Sequence, residues 1–381
     1  MKNKELFIII YTITVLLSVM YATQPLQPLL ANEFNISIVK ASTFTAVIML
    51  FLAIAPIMYG YVLERVNAKK VLVIASSILF VTNLLLGFST SYEMFLFGRS
   101  VEAIVIPAIL TSCMSILASD KTNIKLNMSI YVASTVFGGL VGRVMSGFIA
   151  SEFGWRIVFF SLSFALLIGL YFIRKLSFNG NADLTKAKII DVIHILKDRR
   201  FVVIYAIMFV VFFVFAGLLN ILPFRIKEQL PSTSELQIGL LYLGYGMGIV
   251  VSLTISKIIK FFKKELRTII FGIFVVILST AFFINSDPFI LFIMVFFLCI
   301  GMFITHTVST RLANSMRETQ KAITSGMYLT FYYIGGTLGT ILPPMVYTNF
   351  GWHITIMMFI TILFFILIFI FFNKHHFKGQ L

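Results

Sequence analysis

The chain has 381 residues, 59% of them hydrophobic and only 12% charged, with a formal net charge of +15. A soluble domain carries about a quarter charged residues, so that class is excluded. Apolar runs of about 18–25 residues have the length of a helix crossing a bilayer. Lipid leaves only helices or a closed barrel as spanning structures, and no alternation of apolar and polar residues supports a barrel. The reading is an all-α membrane protein with 12 transmembrane helices.

Lys2 and Lys4 precede the first apolar run, as in a signal peptide. The run is long, however, and Gln24-Pro25-Leu26-Gln27-Pro28 comes after it in place of a small-residue cleavage site. It is therefore span 1, at 6–30. Spans 2 to 6 are expected at 41–63, 71–90, 93–117, 128–150 and 156–173. Residues 174–200 are the one long polar stretch. Within it Ile189, Val192, Ile193 and Leu196 recur at helical spacing, and Asp183 or Thr185 is a candidate helix cap. This predicts an amphipathic linker lying on the membrane surface. Spans 7 to 12 are expected at 201–222, 236–258, 268–285, 288–310, 322–346 and 353–372. The expected organisation is a six-helix bundle over 1–173, the linker over 174–200, and a second bundle with a short tail over 201–381.

Lys and Arg in the loops set orientation. With the N-terminus in the cytoplasm, cytoplasmic segments hold 24 basic residues and external loops hold four, Lys40, Arg156, Arg225 and Lys227. Both termini are thus expected in the cytoplasm of a multi-pass protein of the cell (plasma or inner) membrane. The positive charge is a topology signal, and no nucleic acid is expected as a partner. Cys113 and Cys299 fall inside spans and read as small buried residues. No metal-ligand spacing and no phosphate-binding G-x-x-x-x-G-K-[ST] loop occur in the sequence. Hence no metal, no cofactor and no ATP motor is expected, and any energy source would be an ion gradient.

One pattern occurs twice. Gly138, Gly139 and Gly142 are followed by Phe153-Gly154-Trp155; Gly335, Gly336 and Gly339 are followed by Phe350-Gly351-Trp352, 197 positions on without a gap. Tyr131 and Tyr328 keep the same offset, and the two tryptophans are the only ones in the chain. This is a duplicated half, giving two pseudo-symmetric six-helix bundles. Small residues so spaced let helix backbones approach closely in lipid.

Twelve spans in a 6+6 duplication with a long central loop resemble a major facilitator superfamily transporter, over essentially the whole chain. Gly60-Tyr-Val-Leu-Glu64-Arg65-Val-Asn67-Ala-Lys69-Lys70 resembles that family's loop 2–3 signature, with Glu64, Asn67 and Lys69 departing from it. Asn tolerates the left-handed turn that Gly would make there. The resemblance implies a conformational latch of Gly60, Glu64, Arg65, Lys69 and Lys70. Arg99-Ser-Val-Glu102-Ala103 resembles the span-4 signature of drug/proton antiporters, with Glu102 for Gln and Ala103 for Gly. The span-5 run resembles the antiporter glycine motif with Arg143 where Pro is usual, and is similar to the YnfM-type efflux branch. This resemblance implies multidrug-type efflux by an antiporter, with alternating access and a monomeric state.

Arg99, Glu102 and Arg143 are the charges well inside spans. An ionisable residue at that depth is expensive and by default functional. Arg99 and Glu102 share a helix face. By helical rise, Glu102 lies about 14 Å and Arg143 about 10 Å from the outer ends of their spans. Arg143 is therefore expected to reach Glu102 or a bound anion. The counterparts at offset 197 are Phe296, Cys299 and Thr340, so the second half lacks all three charges. Glu102 is the expected proton-coupling carboxylate, with Arg99 as its partner; a purely structural pair is the alternative. Arg143, Tyr21, Gln24, Asn220, Tyr328 and Tyr332 are candidates for binding a small-molecule substrate. His306, near the inner end of span 10, reads as a surface or helix-end histidine, with a proton relay as the alternative. Two arginines against one carboxylate favour an acidic or zwitterionic substrate. The main reading is a proton-coupled exporter of small amphipathic molecules. The rival is a symporter importing a sugar or organic anion, and a remote rival is a membrane-embedded enzyme, for which Glu102 has no acidic partner.

Overall fold

The computed structural model describes residues 3–120, 122–177, 189–285, 287–316 and 321–377, without the side chains of 56–58, 60–65, 125, 189–192 and 321–322. The candidate caps Asp183 and Thr185 lie outside the described residues, as do the side chains of Gly60, Glu64 and Arg65 in the expected latch. The described residues fold into helices α1 (Asn3–Tyr21), α2 (Thr23–Glu33), α3 (Ile38–Arg65), α4 (Ala68–Gly87), α5 (Tyr92–Ala118), α6 (Ile124–Phe153) and α7 (Trp155–Arg174). Then come α8 (Ile189–Lys197), α9 (Arg199–Gln229), α10 (Glu235–Leu241), α11 (Met247–Phe262), α12 (Glu265–Phe282), α13 (Pro288–Ser315) and α14 (Lys321–Asn373).

Span 1 is α1 plus α2, and span 8 is α10 plus α11, joined through the tight turn Tyr242–Gly246. α14 contains spans 11 and 12, because its run of helical hydrogen bonding is interrupted at Gly351, with φ 79°. Twelve membrane-crossing segments result among the described residues. Gly154, between α6 and α7, has φ 87°. Both positions are the glycine of the repeated Phe-Gly-Trp. Only a residue without Cβ enters this region without strain, which accounts for the repeat. Each tryptophan then packs inward under an arginine. Arg156 lies over Trp155 at 4.3 Å, and Arg225 lies over Trp352 at 5.6 Å.

Helix starts reflect local chemistry. The side chains of Ser91, Asp198, Ser234 and Asp287 each accept from a backbone N–H in the first turn of α5, α9, α10 and α13. Asn67 does the same for α4, accepting from Lys69 N at 2.9 Å. Its φ of −56° and ψ of 131° correct the expectation of a left-handed turn. Asn stands there as a helix cap. Lys69 reaches the carbonyl of Leu176, and Lys70 is exposed.

Contacts divide the chain into two compact units, Met1–Lys186 with Ser232–Leu243, and Ala187–Pro231 with Gly244–Leu381. α10 therefore packs with the first unit, seated on α6. A methyl added at Gly147 would lie 2.4 Å from the carbonyl oxygen of Glu235. The doubled glycine run closes each unit upon itself. A methyl at Gly142 would meet Ser18 Cα at 2.4 Å, and one at Gly339 would meet the Phe213 carbonyl at 2.2 Å. Gly138 and Gly335 make the same approach one turn earlier, to Thr14 and Phe209. Gly139 faces the Tyr21 ring, and Gly336 is buried. Phe44, Phe95 and Phe159 form a buried core with Trp155 in the first unit.

Candidate functional site

The centre of the first unit is the pair Arg99–Glu102 on α5, 2.6 Å apart and fully buried. The spacing i, i+3 puts both on one face of the helix, and the other bonds come from neighbouring helices. Arg99 donates to the carbonyls of Val19 at 3.2 Å, Met20 at 3.0 Å and Phe44 at 3.2 Å. The second oxygen of Glu102 accepts from Asn83 Nδ2 of α4 at 2.6 Å. One ion pair thus touches α1, α3, α4 and α5.

Pro25 and Pro28 have no N–H for the carbonyls of Tyr21 and Gln24, four residues before them. Arg99 meets the turn just before, at Val19 and Met20, with a planar fork that serves several acceptors at once. Asn83 is a partner that sequence reasoning missed. Its signal was an amide inside an apolar span.

Arg143 does not lead to Glu102. Its Nε donates to Gln24 Oε1 at 2.6 Å and its Nη1 to the Gly139 carbonyl at 2.8 Å. Its guanidinium lies over Tyr21 at 3.8 Å and over Tyr242 at 5.2 Å. The expectation of a bond to Glu102 is corrected accordingly: the charge sits between aromatic faces, whose negative quadrupoles hold a cation where water is excluded. Tyr242 is the second partner the sequence did not disclose. Of the expected substrate residues, Arg143, Tyr21 and Gln24 therefore come together.

Asn220, Tyr328 and Tyr332 belong to the second unit. Asn220 donates to the Thr340 carbonyl at 3.4 Å. Tyr328 bonds His306 Nδ1 at 2.8 Å, and Tyr332 stacks on Phe212 at 3.7 Å between centroids. His306 and Tyr332 rings are 5.0 Å apart. His306, expected as a helix-end histidine, is instead part of this aromatic group between α13 and α14. Among the described residues, no cluster of three or more His, Cys, Asp or Glu has the geometry of a metal site.

A twelve-span helical chain built from two related halves, with Glu102 buried in the first, is the architecture of a membrane transporter. The family model of the Major Facilitator Superfamily matches residues 8–322, and the chain belongs to that family. It is thus a multi-pass membrane transporter of a small-molecule substrate, not an enzyme. The chain is 23% identical over 343 residues to the inner membrane transport protein YnfM of Escherichia coli (strain K12), spanning 88% of this chain and 82% of that one. It is 22% identical over 286 residues to the cis,cis-muconate transport protein of Acinetobacter baylyi, spanning 70% and 68%. Among solved structures it resembles a bacterial homologue of the human lysosomal transporter Spinster, with TM-score 0.82 at 15% identity over 100% and 99% of the two chains.

Proposed function

We propose that the chain is a proton-coupled exporter of small amphipathic molecules in the cell (inner) membrane, working by alternating access as a monomer with both termini in the cytoplasm. The observation that carries this is Glu102, a carboxylate with no exposed surface inside a span of a family transporter. A buried carboxylate changes its partners when it gains a proton. Loss of its charge weakens the bond to Arg99, which stays fixed to the carbonyls of Val19, Met20 and Phe44. The protonation state of Glu102 is thereby passed to the turn of span 1 at Val19 and Met20, next to Gln24 and Arg143. In exchange, substrate and proton favour different states of this group. The latch residues Gly60, Glu64, Arg65, Lys69 and Lys70 would limit the movement at the other end of the unit.

A second reading is import or export of an organic anion. Arg143 favours it, because it sets a buried guanidinium, a group that pairs with carboxylates, beside Tyr21 and Gln24. The muconate transporter among the relatives carries a dicarboxylate by its name. A substrate screen in proteoliposomes with an imposed pH gradient tests both. Export readings require accumulation of an amphipathic compound driven by the gradient; carriage of acids alone favours the second reading, and no effect of the gradient on any carried compound contradicts proton coupling.

A further inference from the structure

The second unit holds a basic cavity outside the groups described above. It measures about 350 Å³ and is lined by Lys197, Asp198, Arg199, Arg200 and His376. Span 7 begins at Arg199 and span 12 ends at Asn373, so the cavity lies where both helices leave the membrane. Two features build it. Asp198 both caps α9, accepting from Arg200 N at 3.0 Å, and engages the Arg200 guanidinium at 2.8 Å. The tail then turns back through Lys374–Phe377, and the buried Phe377 fixes His376 beside the start of α9.

The one acid of the cavity is thus taken up by Arg200. Lys197 and Arg199 have no ion-pair partner among the described residues, and the cavity is left net positive. Its flanks are apolar. Ile195 docks α8 onto the unit and is fully buried, while Ile193 and Leu196 of the same helix are exposed at 44% and 41%. Phe371 and Phe372 are exposed at the end of span 12, with Lys374 over the Phe371 ring at 3.9 Å. A cationic pocket at a membrane surface, rimmed by outward apolar side chains, fits a ligand with an anionic head and a hydrocarbon tail.

We infer that this cavity binds the phosphodiester head of one anionic phospholipid, its acyl chains lying along Ile193, Leu196 and Phe372. Lys197 and Arg199 contact the phosphate, and His376 closes the pocket from the tail. The bound lipid ties α8 to the start of span 7.

The test is native mass spectrometry of the full-length protein in detergent, titrated with phosphatidylglycerol, with phosphatidylcholine of the same chains, and with glycerol phosphate. The expected result is one retained phosphatidylglycerol per chain, preferred over phosphatidylcholine. The double variant Lys197→Gln/Arg199→Gln is expected to lose that preference roughly tenfold, as removal of two basic side chains near an anionic head should. Lys197→Arg/Arg199→Lys should keep it, which separates lost charge from lost folding. Lys257→Gln/Lys260→Gln, on the basic end of α11, should also keep it. Equal retention of the two lipids, an unchanged double variant, an equal loss in the α11 variant, or glycerol phosphate binding as tightly as the lipid would each overturn the inference.

Discussion

Replacing Arg99 by Met removes a side chain that holds four bonds at once. They run to Glu102 at 2.6 Å and to the carbonyls of Met20, Val19 and Phe44 at 3.0, 3.2 and 3.2 Å. Removing one partner of a buried ion pair costs about 3–5 kcal/mol, because the other charge stays buried alone. Each lost bond to a carbonyl adds of the order of 1 kcal/mol, and proton uptake by Glu102 takes some of the total back. A net loss of about 4 kcal/mol is expected, equivalent to a fall of roughly 10 °C in the unfolding midpoint. Glu102→Gln keeps an acceptor for Arg99 and trades a charged bond for a neutral one, so it should lose only about 1–2 kcal/mol. Cys113 and Cys299 are both buried, so a thiol-reactive dye reports unfolding of the detergent-solubilised protein. An Arg99→Met midpoint within a few degrees of the unmodified protein, or above that of Glu102→Gln, would refute the role given to the three carbonyls.

The same geometry leads to three further expected outcomes. Gly142→Val and Gly339→Val place atoms 2.4 Å and 2.2 Å from neighbouring backbone, so each should cost about 1–3 kcal/mol in the same assay, the two halves responding alike. Arg143→Lys keeps the charge but loses the fork that meets Gln24 and the broad contact with Tyr21; transport of acidic compounds should fall about tenfold in apparent affinity while cationic ones are unaffected. Asn83→Leu removes the 2.6 Å donor to Glu102 and should cost about 1.5–3 kcal/mol, read by thermal unfolding.

The architecture was legible because lipid imposes strong rules. Apolar length gave the twelve spans, and the doubled Phe-Gly-Trp marked a turn whose positive φ at Gly154 and Gly351 demands glycine. The glycine pattern also told that backbones approach closely, but not which ones. Gly142 meets span 1 and Gly147 meets α10, a choice made by tertiary packing. Pro25 and Pro28 were legible in span 1, yet nothing in the sequence says that Arg99, far along the chain, bonds the carbonyls of Val19 and Met20. Asn67 was misread because Asn serves both left-handed turns and helix caps, and only the backbone φ decides. Arg143 was expected near Glu102 from depth alone; depth gives height in the membrane but not azimuth, and its partners proved to be Gln24, Tyr21 and Tyr242.

The proposed proton coupling rests on Glu102 as the group that carries the proton. The direct measurement is gradient-driven transport by Glu102→Gln in proteoliposomes, beside substrate counterflow without a gradient. The variant is expected to lose uphill transport and keep counterflow. Uphill transport at the full rate of the unmodified protein would contradict a proton-carrying role for Glu102.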